Sequence, residues 1–211
     1  MMITTATKNK SSTLFIYPSE SLEIDFGDLL KPMNDDEFFY FCQRHGDLRI
    51  EMDKLGEITI MSPTGSETGG INFELSVDFG AWARKDGTGK GFDSSTGFIL
   101  PNGAKRSPDL SWIKLEKWLA IPAEKRKKFA PICPDFVVEI RSESDPLTKV
   151  QAKMAEYIEN GAALGWLIDV NNKKVYVYQQ NTPVRTLETP NQVSGEPLLK
   201  GFVLQMQAIF G

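Results

Sequence analysis

Four places in the chain combine residue types and spacings from which a hydrolytic site could be built. The first is Ser107-Pro108-Asp109-Leu110-Ser111-Trp112. Proline lacks an amide hydrogen and limits pairing just ahead of the aspartate. Asp109 can therefore sit at a bent strand start with its carboxylate open to a cleft, and an ordinary Pro-Asp turn is the plainer alternative. The second is Asp135-Phe-Val-Val-Glu139-Ile-Arg141-Ser142. The two-residue period of a strand puts Asp135, Val137, Glu139 and Arg141 on one face, with Phe136, Val138 and Ile140 on the other. An acid inside so apolar a strand lies near buried surface, and an unpaired buried carboxylate is costly. Glu139 thus needs a cation, a hydrogen bond or a metal, and a structural ion pair with Arg141 or a lysine would also serve. The third is Lys149 and Lys153, one turn apart on a helix after that strand. The fourth is Glu67, in Ser-Glu-Thr-Gly-Gly at a helix start, where the helix dipole alone favours an acid.

As a set these residues have a chemical logic. Two carboxylates supply hard oxygen ligands for Mg²⁺ or Mn²⁺. A metal so held lowers the pKa of a bound water and offsets charge on a phosphoryl oxygen. A neighbouring lysine can orient or deprotonate that water and stabilise developing negative charge. This is the equipment of phosphodiester hydrolysis. Asp135, four residues before Glu139, is the runner-up ligand, but an extended strand separates the two by about 13 Å, too far to share one ion.

Elements must bring these residues together. Asn34-Asp-Asp-Glu37 starts a helix that Gly46 ends, with Phe38, Phe39, Phe41 and Cys42 as its apolar surface. Leu48–Met52 and Glu57–Met61 alternate and predict a hairpin. A second helix is expected over 67–83, from Ile71, Leu75, Phe79 and Trp82. Gly87, Gly89 and Gly91 suggest a turn, followed by strands over 92–100 and 107–113 joined at Pro101-Asn-Gly103. A basic, partly exposed helix is expected over 115–129, including Lys125-Arg-Lys-Lys128, then a strand at Phe136–Ile140. Val150, Met154, Tyr157 and Ile158 give the 148–160 helix an apolar stripe facing the sheet. Lys153 lies beside that stripe, within reach of Glu139. A hairpin over 164–179 and a last strand over 202–208 complete the pattern. Strands and helices mix without regular alternation, which predicts an α/β domain with a mixed sheet flanked by helices, preceded by an N-terminal helix and β-hairpin.

Composition narrows the setting. The chain of 211 residues fits one large domain, expected over 13–211 after a frayed polar tail at 1–12. Two distant cysteines and the single His45 exclude a disulfide framework and a multi-histidine zinc site. His45 instead suits a helix C-terminal cap. The sequence contains no run that would span a membrane and no secretory leader, so a reducing, cytoplasmic setting is expected. The net charge of −4 argues against bulk attraction to nucleic acid, though not against a local basic patch.

Taken together, "SPDLSW", "PDFVVEIRSESD" and "KMAEYIENGAALGWLID" resemble the signatures of the Uma-type restriction endonuclease family, whose fold is similar to that of the PD-(D/E)xK nucleases and which was long catalogued as a domain of unknown function. The resemblance covers about residues 33–178. It implies a restriction-endonuclease-like fold and a divalent-metal-dependent endonuclease acting on DNA with Mg²⁺ or Mn²⁺. By motif, Asp109 and Glu139 would be the metal ligands, and Lys153 the catalytic lysine, moved from the strand to the helix. Glu67 falls where the family often has an acid-histidine pair, although Thr68 follows it here. Arg141 occupies the lysine position of the usual E-x-K strand motif, so either Arg141 or Lys153 could supply the positive charge. Lys153 is favoured, because a buried lysine can lose its proton and an arginine effectively cannot. Nucleases that cut both strands often pair as dimers, so a homodimer is expected. The alternative is a catalytically inactive module that kept the nuclease scaffold for binding or interaction.

Overall fold

The computed structural model describes residues 6–8, 11–16, 22–25, 33–143 and 145–211, with side chains for 33–143 and 145–211. The chain forms two compact units, Met1–Asp47 and Leu48–Gly211. No linker composition marks their junction, which falls inside the stretch expected to be one domain. The first unit contains an antiparallel meander, β1 (Ala6–Lys8), β2 (Ser11–Ile16) and β3 (Leu22–Asp25), then helix α1 (Asp35–Arg44). Of the expected tail, residues 1–5 and 9–10 lie outside the described residues. A capping box starts α1: the Glu37 amide donates to Asn34 at 3.0 Å and the Asn34 amide to Glu37 at 2.8 Å. His45 is its C-cap.

The second unit is built on two sheets. A hairpin of β4 (Arg49–Met52) and β5 (Ile58–Met61) is followed by the long helix α2 (Ser66–Asp86) and then β6 (Gly89–Asp93), β7 (Phe98–Ile99), β8 (Lys105–Arg106) and β9 (Leu110–Lys114). Short helices α3 (Leu115–Ala120) and α4 (Ala123–Arg126) lead to β10 (Phe136–Ile140), helix α5 (Leu147–Glu159), β11 (Leu164–Asp169), β12 (Lys174–Gln179) and β13 (Arg185–Glu188). The hairpin β14 (Gln192–Ser194) and β15 (Val203–Gln205) and a last turn of helix, α6 (Gln207–Phe210), end the chain. The main sheet is mixed, in the order β13-β12-β11-β10-β9-β6, with β10 and β11 parallel and the other neighbours antiparallel. The smaller sheet runs β5-β4-β8-β7.

Strand alternation divides the core in two. Phe136, Val138, Ile140, Trp166 and Ile168 point to one side and pack with Leu75 and Phe79 of α2 and Phe202, Leu204 and Ile209 of the C-terminal segment. Val137 and Leu167 point the other way and pack against Met154 and Tyr157 of α5. Each strand is apolar on both faces because each face is covered, as a central strand under two layers requires. No helix among the described residues is long and apolar enough to cross a membrane.

The structure departs from the sequence expectation in several places. The glycines at 89 and 91 lie within a strand. A Cβ at Gly89 would come 2.2 Å from the Trp112 ring, and one at Gly91 would come 3.0 Å from Phe79. Here glycine permits close packing, the second of its two uses in strands. The strand expected over 92–100 is split, β6 ending at Asp93 in the large sheet and β7 joining the small one, and the strand expected over 107–113 begins only at Leu110, with Ser107-Pro108-Asp109 crossing to β9 from β8 of the small sheet. The helix expected over 115–129 breaks at Ile121-Pro122, where a proline disfavours helical backbone in the residue before it.

Substituting Gly89 with Val should destabilise the chain by about 1–3 kcal/mol through overpacking on Trp112. Gly70→Ala, on the exposed side of α2 with nothing within 4 Å of the new methyl group, should stabilise it by about 0.5–1 kcal/mol. Urea denaturation checks both, and a common sign would contradict the packing account.

Candidate active site

Five elements deliver charged side chains to one place. Asp109 stands where the chain enters β9 from the small sheet. Its Oδ2 accepts the Ile140 amide at 2.8 Å, so its carboxylate is tied to the end of β10. Glu139, on β10, projects toward α5. There Lys153 Nζ approaches its Oε1 at 2.8 Å and the Tyr157 hydroxyl donates to the same oxygen at 3.0 Å. Lys153 and Tyr157 are four residues apart on α5, one turn on one stripe. Among the described residues, Glu139 Oε2 makes no hydrogen bond or ion pair.

The small sheet supplies the rest. Arg49 and Glu51, two residues apart on β4, share a strand face. Arg49 donates to Asp109 Oδ1 at 3.1 Å and to the Ser107 carbonyl at 2.8 Å. Glu51 Oε1 accepts from Lys153 Nζ and from the Ser107 amide, each at 2.8 Å. Arg106 donates to Glu51 Oε2 at 3.3 Å and pairs with Glu156 of α5 at 2.6 Å. Among the ion pairs of the described residues, four carboxylates (Glu51, Asp109, Glu139 and Glu156) face three cations (Arg49, Arg106 and Lys153), which leaves negative charge in excess.

That excess falls on Glu139. Burial raises its pKa, Lys153 lowers it, and Asp109 and Glu51 raise it again, so the carboxyl is pushed up to about 7. Glu51 is equally buried, but Lys153, the Ser107 amide and Arg106 outweigh its desolvation and hold it below the usual range. Burial pulls the Lys153 ammonium down, and Glu139 and Glu51 together push it up further, so it stays protonated. The preference for Lys153 as an amine able to shed its proton is corrected on this point: burial alone would favour the neutral form, and two carboxylates at 2.8 Å reverse that.

Lys153 lies 2.8 Å from Glu139, and Asp109, far away in sequence, is tied to the Ile140 amide next to it. Arg141 does not join them. Its guanidinium pairs with the fully buried Asp169 at 3.0 Å and its Nε donates to the Asp145 carbonyl at 2.9 Å, so it braces the β10–β11 end. Asp135 is also engaged elsewhere, by Lys117 at 2.6 Å and the Lys114 amide at 2.9 Å. Glu67 is exposed in the first turn of α2 and makes no hydrogen bond or ion pair with the cluster among the described residues. Both cysteines are free; burial pushes Cys42 up to about 11 and Cys133 up to about 12, so neither is a ready thiolate. Arg49, Glu51, Arg106, Glu156 and Tyr157 are the members whose part in the cluster sequence reasoning missed. The alternation over 48–52 did signal a polar face on β4, but not that a second layer covers it: Glu51 is only 3% exposed.

The donor set suits a hard divalent cation. Asp109, tied to the Ile140 amide, and Glu139 both offer carboxylate oxygens at the end of β10, and burial together with the Asp109 and Glu51 carboxylates outweighs Lys153 in raising the Glu139 pKa. No group of three or more acidic, histidine or cysteine side chains arranged to hold a metal occurs among the described residues. Any ion there would complete its shell with water or substrate oxygens, as Mg²⁺ commonly does. A groove of about 560 Å³ opens between α2 and β6, and none of the cluster's charged residues lines it.

The family model of Uma2, described as "Putative restriction endonuclease", matches residues 35–207, and the chain belongs to that family. A crystal structure of "a putative nuclease belonging to DUF820" from Anabaena variabilis superposes with a TM-score of 0.67 at 23% identity, covering 85% of this chain and 98% of that one. The fold is therefore α/β and restriction-endonuclease-like: a mixed sheet flanked by helices. No curated protein matches the chain.

Because its folded pKa is raised from 4.5 to about 7, Glu139 favours the fold while protonated. Its contribution is fully present below pH 4.5 and is lost as pH rises through 7. In metal-free protein, Glu139→Gln should therefore be nearly neutral at pH 5 and stabilising by about 2 kcal/mol at pH 8. Thermal denaturation in chelator checks this, and an effect that does not change between the two pH values would contradict the excess-charge account.

Proposed function

We propose that this chain is a nuclease that hydrolyses phosphodiester bonds of DNA, with Mg²⁺ or Mn²⁺ held by Asp109 and Glu139. The observation that carries the reading is the convergence of two carboxylates and one buried ammonium at the ends of β9 and β10, within a family described as restriction endonucleases. A cation bound there acidifies a water and offsets charge on a phosphoryl oxygen.

The chain's own residues do the rest. The Ile140 amide orients Asp109 before any ion arrives, so little reorganisation is needed. The Tyr157 hydroxyl holds Glu139 by one oxygen and leaves Oε2 for a ligand. Lys153 keeps its proton on Nζ. Its work is to orient the attacking water and to stabilise charge gathering on the phosphoryl oxygens, not to remove a proton. Arg49, half-buried at the edge of the cluster, can turn part of its guanidinium to a backbone phosphate. On this reading two copies act on one duplex, and the chain works in the cytoplasm. Light scattering with an oligonucleotide duplex should then report the mass of two chains; one chain's mass at every concentration would refute the pairing.

A second reading has one observation behind it. Asp109 and Glu139 each already contact a protein cation, so the cluster could be a self-contained brace in a catalytically inactive binding module. Plasmid cleavage separates the two. With Mg²⁺ or Mn²⁺, the wild-type chain should nick or linearise DNA, and Asp109→Ala and Glu139→Ala should each lower the rate by roughly 100-fold or more. Equal rates in all three proteins, together with no heat on titration of millimolar Mn²⁺, would favour the inactive module.

A further inference from the structure

We propose that Glu51 is a positioning residue that keeps the Lys153 ammonium at the reacting centre when the oxygens of Glu139 are engaged elsewhere. The inference rests on the nuclease reading of the same cluster and adds to it a residue from a different sheet.

A lysine side chain is a flexible stem ending in a point charge. Gripped only by Glu139, the ammonium would lose its anchor once that carboxylate turned to a cation. The structure gives it a second anchor: Nζ lies 2.8 Å from Glu51 Oε1 and 2.8 Å from Glu139 Oε1. Two of its three hydrogens are used in this way, and one remains for a water or a phosphoryl oxygen.

Glu51 is itself rigidly held. Its Oε1 accepts the Ser107 amide at 2.8 Å and its Oε2 the Arg106 guanidinium at 3.3 Å. Arg106 returns to α5 through Glu156 at 2.6 Å. Lys153 and Glu156 lie three residues apart on one helix, so α5 is tied to the small sheet at two points through one buried carboxylate. Among the described residues, the donors to Glu51 are Lys153, the Ser107 amide and Arg106, and of these only Lys153 also touches Glu139. Glu51 is therefore placed to act on the centre through Lys153.

The test uses the full chain, with Glu51→Ala and the same-shaped Glu51→Gln, which can still accept from Nζ. In ¹⁵N-lysine-labelled protein, a hydrogen-bonded Lys153 ammonium should give a slowly exchanging signal. It should be present in wild type, weakened in Glu51→Gln and lost in Glu51→Ala. In cleavage assays with Mn²⁺, Glu51→Ala should lower kcat by roughly 100-fold with KM and calorimetric Mn²⁺ affinity within about threefold, and Glu51→Gln should recover at least about tenfold. If Glu51→Ala fails to fold, the Glu51→Gln values decide by lying between those of wild type and background. Survival of the ammonium signal in both variants, or loss of Mn²⁺ affinity in step with kcat, would overturn the proposal. Should the wild-type chain cleave nothing, the nuclease reading fails by itself, and the ammonium signal alone decides what Glu51 does.

Discussion

Glu139 lies in a strand whose neighbours in sequence are almost all apolar, and its side chain enters a layer that excludes water. A carboxylate there must be neutralised, protonated or matched by a cation. Lys153 supplies one positive charge, but that charge is shared with Glu51, and Asp109 lies close enough to raise the Glu139 pKa further. The proposed divalent ion would answer this imbalance.

The fold can be understood as the scaffold that maintains this imbalance. The parallel pairing of β10 with β11 sends the chain through α5 and lays that helix over the sheet, with Met154 and Tyr157 in the core and Lys153 beside them. Packing of the apolar stripe thereby fixes the height of the ammonium over Glu139. On the opposite flank the chain leaves β8, crosses at Ser107-Pro108-Asp109 and enters β9. The same three residues offer the Ser107 amide to Glu51, the Ser107 carbonyl to Arg49 and the Asp109 carboxylate to the centre. A bend imposed by proline therefore coordinates two sheets. The pairs Arg141–Asp169 and Lys117–Asp135 are braces at the two ends of β10 and keep its other charged residues out of the centre.

Much of this was legible in the sequence, for identifiable reasons. The period of two in Phe136–Ile140 assigned Glu139 to the α5 face, and the helical stripe Val150, Met154, Tyr157 and Ile158 placed Lys153 near it. Asp109 stood out through Pro108 and through its motif. What stayed hidden depends on tertiary placement. Alternation over Leu48–Met52 reads as a hairpin with one wet face, yet Glu51 is buried because β8 and α5 cover it. Gly89 and Gly91 look like turn residues and are strand residues made necessary by Trp112 and Phe79. The choice between Arg141 and Lys153 was open by residue type, and Asp169, a partner 28 positions away, decides where Arg141 goes.

The central claim is that Asp109 and Glu139 form one cation site with Lys153 beside it. Anomalous diffraction from crystals grown with Mn²⁺ tests it most directly. A manganese peak is expected at the Asp109 and Glu139 carboxylates, which would hold the ion, with Lys153 still on Glu51. The absence of a peak there, with Arg49 unmoved on Asp109 and Lys153 unmoved on Glu139, would contradict it.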